Sequence, residues 1–361
     1  MMIIKIFTAM MTITIIFSTC IKQCECFRLW SDYGYPTNQD YDYDDFLQYD
    51  EDYGENVGRH LELTSSILQL IYNLIGKTGH SAKSLELARQ MNKLQEEISP
   101  EISFPCPTNN SRSRKRPKSV TKVRPGDIDV IAAIGDSLVA ANGAVSTNVF
   151  QVFIANRGVS WAIGGQENWR KYLTLPNILK EFNPNLIGYS TGDSLYSANR
   201  ERSQLNAAEP GARSRDLVQM SETLIERIKN HPEIDNEQDW KMVTIFVGAM
   251  DFCFSICHRD DPENIVEEHR KHLMETLIKL RDNLPKTIVN VVQQINLGNV
   301  LPKFSGLPWL CNKLYKPYEC PCLSDKKYEN MTSQYRKIMS RWQKIESKVF
   351  NLFSWKRNFQ R

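Results

Sequence analysis

The chain has 361 residues, of which 41% are hydrophobic and 24% are charged, and its formal net charge is +3. These proportions are those of a globular protein. The small net charge indicates neither a nucleic-acid partner nor a strong electrostatic attraction to a membrane. The length allows one large domain with extensions, or two domains.

The first twenty residues have the pattern of a secretory signal peptide: Lys5 precedes an apolar stretch from Ile6 to Phe17, and small residues follow. The stretch is short for a membrane span, so an uncleaved anchor that keeps the protein membrane-associated is the weaker alternative. Two sequons, at Asn109 and Asn330, agree with export and predict glycosylation. The sequence therefore predicts a secreted, extracellular protein.

Composition changes several times along the chain, and each change predicts a boundary. The stretch after the signal peptide is acidic and rich in Tyr, so it is expected to be disordered. A basic run, Arg112–Lys118, is an exposed linker, with a processing site as the alternative. The predicted segments are a signal peptide (1–20), an acidic segment (21–60), a helical extension (61–103), a basic linker (104–126), the main domain (127–350) and a divergent tail (351–361).

Nine cysteines behind a signal peptide are more typical of disulfides than of a metal site. A local loop between Cys253 and Cys257 is one possible pairing. Cys320–Pro321–Cys322 is too tight for its two thiols to pair, so at least one of them is expected to reach Cys106 or Cys311. The disulfide candidates are Cys106, Cys253, Cys257, Cys311, Cys320 and Cys322.

From residue 127 onward, short apolar runs alternate with amphipathic ones, which predicts an α/β domain. Strands buried on both faces indicate a parallel sheet in three layers, with helices on each side. The predicted strands are 128–134, 186–190, 242–247 and 287–293. The predicted helices are 138–149, 174–182, 216–229, 263–282 and 333–349.

The first predicted strand ends in Gly135–Asp136–Ser137, followed at once by a predicted helix. A serine at such a strand-to-helix corner lies beside free backbone N–H groups, which stabilise a developing oxyanion. Ser137 is therefore the candidate nucleophile, although a serine in an isolated Gly-Asp-Ser is more often a helix cap.

Several segments, in order along residues 104–345, resemble the GDSL (SGNH) esterases and lipases, and in particular the animal phospholipase B1 branch. The resemblance implies a flavodoxin-like SGNH hydrolase fold and metal-free, cofactor-free hydrolysis of carboxylic esters in lipids. In that family pattern Ser137 is the nucleophile, Gly164 and an Asn amide complete the oxyanion hole, and a late Asp-x-x-His supplies the base. The segments that carry it are Gly135–Leu138, Arg157–Gly165, Thr174–Pro184, Leu205–Ala212, Asp239–Lys241, Phe246–Gly248 and Cys320–Cys322.

The chain departs from the family's third block, Gly-x-Asn-Asp, which here reads Gly248–Ala249–Met250–Asp251. Met250 stands where the amide donor is expected, and a thioether donates no hydrogen bond. Loss of one such donor typically costs about 2.7–4 kcal/mol of transition-state stabilisation.

A second departure concerns the general base, because none of the six histidines has an Asp three residues before it. His258, in a loop at the expected end of the sheet, is a weak substitute. His269 and His272 are expected on a solvent-facing polar helix face. We therefore predict a phospholipase B1-like hydrolase of a lipid or ester substrate, with transient membrane-surface contact, a truncated C-terminal part and impaired catalysis. The alternative is a non-catalytic lipid-binding pseudoenzyme of the same fold.

Overall fold

The computed structural model describes residues 82–147, 151, 154–194, 200–300 and 320–355. The expected signal peptide, the acidic segment, the start of the helical extension, Cys311 and the last six residues lie outside this range. The helical extension enters it with α1 (Ala82–Gln90).

Three parallel strands form the centre of the main domain: β1 (Ile128–Gly135), β2 (Trp240–Phe246) and β3 (Thr287–Val291), in the order β1-β2-β3. Ala132 pairs with Val243, and Val243 pairs in turn with Val289. β1 and β2 are almost wholly buried, as expected for apolar strands covered on both faces. Three of the four predicted strands are confirmed.

Helices flank this sheet, and the predicted α/β class is confirmed. The helix expected from Leu138 onward is much shorter than predicted, because Ala141 adopts a left-handed conformation (φ 58°) at its C-cap. The last helix continues past residue 350, where the sequence placed the end of the domain. After α1 the helices are α2 (Ser137–Ala140), α3 (Leu175–Lys180), α4 (Arg200–Ser203), α5 (Leu217–Lys229), α6 (Ile265–Asn283), α7 (Leu297–Val300), α8 (Pro321–Ser324) and α9 (Thr332–Trp355).

The core has one apolar cluster on each face of the sheet and a third beside its carboxyl edge. On one face, α5 and α6 bury Leu224 and Leu273 against the strands. On the other, Trp161 and Leu179 cover β1. The third cluster joins α9 to the segment after β2, where the rings of Trp342 and Phe252 lie 4.9 Å apart. Each such buried side chain contributes roughly 1.5–3 kcal/mol.

The strand predicted at 186–190 is not formed, although its residues lie beside β1 as expected. The Ile131 N–H donates to Ile187, and the Ile187 N–H donates to Asp129. Gly188, with φ +95°, then turns the chain out of the extended conformation. The contact with β1 is therefore an isolated parallel bridge, because the backbone leaves the ladder after one residue.

Residues 104–126, expected to be a solvated linker, are instead attached to the domain. Arg112 and Arg116 form ion pairs with Asp129 and Asp239, at 2.6 and 2.8 Å. The carbonyl of buried Pro117 accepts a hydrogen bond from the Trp240 indole at 2.9 Å. The basic run thus has acidic partners close to the start of β1 and β2, which its composition alone does not reveal.

Gly135 is the last residue of β1 and pairs with Phe246 at the end of β2. We expect Gly135→Ala to destabilise the domain strongly. An added Cβ would lie 2.1 Å from the Phe246 carbonyl oxygen, and φ is +156°. The Phe246 backbone can move away only at a large energetic cost. The expected loss in the free energy of unfolding is therefore about 3 kcal/mol, measured by urea titration.

Gly211→Ala is the matched control for this prediction. Gly211 also has positive φ (+86°), but an added Cβ there meets nothing within 4 Å. The expected loss is about 1 kcal/mol, from backbone strain alone. Equal losses in the two variants would show that the contact with Phe246 is not the cause.

Candidate active site

The expected strand-to-helix corner is present. β1 ends at Gly135, Asp136 is the N-cap residue, and α2 begins at Ser137. The Asp136 carboxylate accepts the Leu138 N–H at 3.0 Å and so fixes the first turn. Ser137 is half-buried, whereas Asp136 is fully buried. The hydroxyl of Ser137 forms no hydrogen bond to another residue in the part of the chain that the structure describes.

No histidine among the described residues is hydrogen-bonded to Ser137. His258 is exposed, and its ring packs edge-on against Tyr328 with centroids 6.1 Å apart. The proposal that His258 substitutes for the family base therefore gains no support from a contact with Ser137.

Burial raises the pKa of Asp136 to about 7, although N–H groups of Leu138 and Ala249 oppose the shift. An ionised carboxylate at this position is costly because it is removed from water. The folded protein therefore holds this proton more tightly than the unfolded chain, whose carboxyl has its ordinary pKa of 3.8.

The expected consequence is that stability falls as pH rises between about 4 and 7, since folding must take up a proton that the unfolded chain has already lost. Asp136→Asn keeps an N-cap acceptor and removes this titration. We expect the stability of the native protein to fall, relative to that variant, on the order of 2 kcal/mol between pH 5 and 8. Thermal unfolding of both proteins measures the difference; parallel pH profiles would contradict it.

The segment after β2 lies against the same corner. Gly248 has φ +128°, and an added Cβ would lie 3.1 Å from the Trp342 ring, so a glycine fits best here. Met250 is half-buried two residues later. The Asp251 carboxylate accepts the Ser214 N–H at 3.0 Å, and burial raises its pKa to about 6. Asp251 therefore joins this segment to the one that contains Ser214.

The two glycines relevant to an oxyanion hole differ in what surrounds them. The Gly164 N–H donates to the Ser160 carbonyl at 2.8 Å, and an added Cβ would lie 2.4 Å from the Ser160 nitrogen. Gly211 faces open space, two residues after Glu209, whose N–H donates to the Gly135 carbonyl at 3.0 Å. The N–H of Gly164, the glycine predicted for the oxyanion hole, is therefore already bonded, and we propose Gly211 as the alternative donor.

Comparison with known proteins agrees with this architecture. Residues 131–353 match the family model of the GDSL-like lipases/acylhydrolases. The chain belongs to this family. It is 40% identical to membrane-associated phospholipase B1 of Homo sapiens over 221 residues, 61% of this chain and 14% of that protein. The Rattus norvegicus and Mus musculus proteins of the same name are each 34% identical over 262 residues, 72% of this chain and 17% of theirs.

The chain therefore matches only 14–17% of the length of these relatives. No helix in the described residues has both the length and the apolar character needed to cross a membrane. Within the GDSL pattern, Gly248 and Asp251 keep the family residues on either side of Met250. Within this third block, the departure is thus confined to the position of the amide donor.

The disulfides differ from the pairings considered from sequence. Cys253 bonds to Cys320 and Cys257 bonds to Cys322, so the two ends of Cys320–Pro321–Cys322 reach two successive turns after β2. The local Cys253–Cys257 loop is wrong, and neither Cys106 nor Cys311 is the partner of Cys320 or Cys322; Cys106 is free and exposed. Cys257, Cys322 and His258 lie close enough together to resemble a metal site. Because the two cysteines are bonded to each other, they offer no thiolate to bind a metal ion.

The environment of His269 differs most from the one predicted from the sequence. It was expected on a solvent-facing helix face, but only 1% of it is exposed. Its Nδ1 lies 2.6 Å from the Ser214 hydroxyl. The signal was its spacing, since His269 falls four residues from both Ile265 and Leu273 on the buried side of α6. His272, by contrast, is half-buried.

Proposed function

We propose that this chain is a secreted, phospholipase B1-like GDSL domain that hydrolyses lipid esters with Ser137 as the nucleophile. The observation that carries the proposal is the corner formed by Gly135, Asp136 and Ser137 at the carboxyl end of β1. Active sites of parallel α/β sheets lie at this end, and a serine there can approach an acyl carbon.

The chemistry follows from this position. Ser137 Oγ attacks the ester carbonyl carbon, and the resulting oxyanion is stabilised by backbone N–H groups of Ser137 and Gly211. The alcohol leaves, and water releases the fatty acid from the acyl-enzyme. With Met250 at the amide position, both steps are expected to be slow, because no histidine of the described residues contacts the hydroxyl as a general base.

The proposed substrate class is a lysophospholipid or a related lipid ester, approached by transient contact with a membrane surface. Support comes from the relatives, whose printed name is phospholipase B1, membrane-associated. The proposal includes removal of the signal peptide and glycosylation at Asn109 and Asn330, both of which are exposed. A secreted product whose mass falls on glycosidase treatment would support the proposal that the protein is extracellular and glycosylated.

The test is release of fatty acid from lysophosphatidylcholine by the purified secreted chain and by Ser137→Ala. We expect slow release that Ser137→Ala reduces to the uncatalysed rate. Circular dichroism of both proteins verifies that the variant is folded. Equal release by the two folded proteins would contradict the role of Ser137.

A second candidate function is lipid binding without turnover. Two observations favour it: Met250 in place of the amide donor, and no histidine in the sequence with an Asp three residues before it. In that case the chain would co-sediment with lysolipid-containing vesicles, and Ser137→Ala would bind them equally well and release no less fatty acid.

A further inference from the structure

A second serine, Ser214, has the partners that Ser137 lacks. Its hydroxyl lies 2.6 Å from Nδ1 of His269, and both side chains are buried. Ser214 opens the helical segment Ser214–Asp216, which runs directly into α5. The N–H groups at this helix start are already bonded: Ser214 donates to Asp251 and Asp216 donates to the Arg213 carbonyl.

A carboxylate lies on the opposite side of the imidazole. The Nε2 of His269 lies 3.5 Å from Oε1 of Glu346, which is 3% exposed. Trp342 holds both groups: its indole N–H donates to the same oxygen at 3.0 Å, and its ring stacks on His269 with centroids 3.6 Å apart. The other oxygen of Glu346 accepts the Gln294 N–H at 3.2 Å. The imidazole is thus held by the stacked Trp342 ring and by Ser214, while its Nε2 forms no hydrogen bond in the described residues and lies at ion-pair distance from Glu346.

Ser214 and His269 line a cavity of about 60 Å³. Three arginines, Arg213, Arg215 and Arg259, also line it. Each has an acidic neighbour: Arg259 is paired with Glu268, Arg215 lies 3.8 Å from Asp216, and Arg213 interacts with Asp251. At about 10–15 Å³ for each water-sized group, the space holds roughly four to six non-hydrogen atoms, which suits an acetyl ester but not a fatty acyl chain.

The cavity wall also carries polar atoms that have nothing to bind within the described part of the chain. The buried hydroxyl oxygen of Ser255 and the Nδ1 of His272 have no hydrogen-bond partner there. Buried polar atoms normally find partners, so an occupant with acceptor and donor groups is the simplest way to satisfy both.

We propose that Ser214, His269 and Glu346 form a second hydrolytic centre, distinct from Ser137, for short-chain carboxylic esters. A nucleophile bonded to a base, with the base oriented by a third group, is the arrangement that activates a serine. The proposal does not depend on the activity of Ser137 toward lipids.

The reaction is balanced within these groups. The hydroxyl proton of Ser214 passes to His269 Nδ1 while Oγ bonds to the acyl carbon. The carbonyl oxygen takes the displaced electron pair and returns it as the ester C–O bond breaks. The leaving alkoxide takes the proton from His269. Water then attacks the acyl-enzyme, loses a proton through the same imidazole, and releases the acid while Ser214 regains its hydrogen.

The test uses the full chain carrying Ser137→Ala, with methyl acetate, whose five non-hydrogen atoms fit the cavity, and methyl hexanoate, whose nine do not. We expect acid release to favour methyl acetate and to fall at least tenfold when Ser214→Ala or His269→Gln is added. Ser221→Ala is the matched control: Ser221 is a buried serine of α5 whose hydroxyl donates to the Val218 carbonyl, so its loss should leave the rate unchanged.

Acid quenching and peptide mapping of the Ser137→Ala protein give a second measurement that needs no change in the cavity. We expect acetyl on Ser214. A folded protein that stays unacetylated at Ser214, or a rate that Ser214→Ala does not change, would overturn the proposal. Neither result would affect Ser137, whose test uses a lysolipid that the cavity is too small to hold.

Discussion

Replacing Met250 with Asn is expected to raise Ser137-dependent hydrolysis of lysophosphatidylcholine about 100-fold, the lower end of the loss seen when one oxyanion donor is removed. Position 250 follows Ala249, whose N–H acts on the Asp136 carboxylate next to Ser137. An amide there would donate to the oxyanion that forms on the substrate. Fatty acid release by the variant and by the native chain measures the gain.

Met250→Leu is the control, because leucine matches the size and apolar character of methionine but also donates no hydrogen bond. Its rate should equal that of the native chain. The gain in Met250→Asn should vanish when Ser137→Ala is added. A folded Met250→Asn protein with unchanged turnover would mean that the missing base, rather than the missing donor, limits the rate.

Removing both disulfides is expected to cost about 6 kcal/mol of unfolding free energy, whereas removing either one should cost only about 2 kcal/mol. The reason is the overlap of their loops: the bonded cysteines are 67 and 65 residues apart, and both loops contain residues 257–320. Whichever bridge remains still closes the long loop. The loop entropy is released only when both are lost, so the effects are not additive.

Serine replacements of each pair, and of all four cysteines, followed by urea unfolding, would measure these losses. Cys106→Ser is the control, since this exposed free thiol should change stability by less than about 0.5 kcal/mol. Two single-bridge losses that add up to the loss of both would show that the bridges constrain the unfolded chain independently.

The main architecture could be predicted because each apolar run carries its own signal. β1, β2 and the long helices follow periodicities that local sequence determines. The corner at Ser137 was equally accessible, since a glycine ends the apolar run and Asp136 is a strong N-cap residue. The family resemblance then ordered these elements into the GDSL fold.

The parts that were missed depend on contacts between residues distant in sequence. Cysteine spacing does not show that Cys253 and Cys257 face the turn at Cys320–Cys322. Similarly, nothing near His269 in the sequence indicates that Trp342 and Glu346 enclose it, more than seventy residues later. The basic run before β1 resembles a linker until Asp129 and Asp239 are placed beside it.

The glycine of the oxyanion hole could not be chosen from the sequence for a different reason. Gly164 and Gly211 both stand in glycine-bearing segments that match the family, and sequence gives no measure of which N–H is free. The structure shows that the Gly164 N–H is bonded to the Ser160 carbonyl and that the Cβ position of Gly211 meets open space; we propose Gly211 as the donor on this basis. Gly211→Ala should therefore slow lipid ester hydrolysis, while Gly164→Ala should act through packing.

The most direct test of the central claim, that Ser137 is the nucleophile, is to trap the acyl-enzyme. The native chain is incubated with lysophosphatidylcholine, quenched in acid and digested. The mass of the peptide that contains Ser137 is then measured by mass spectrometry. Because deacylation also lacks a base, the ester should accumulate, and the account predicts a mass increase of one fatty acyl group on Ser137. A folded chain whose Ser137 stays unmodified while fatty acid is released would contradict it.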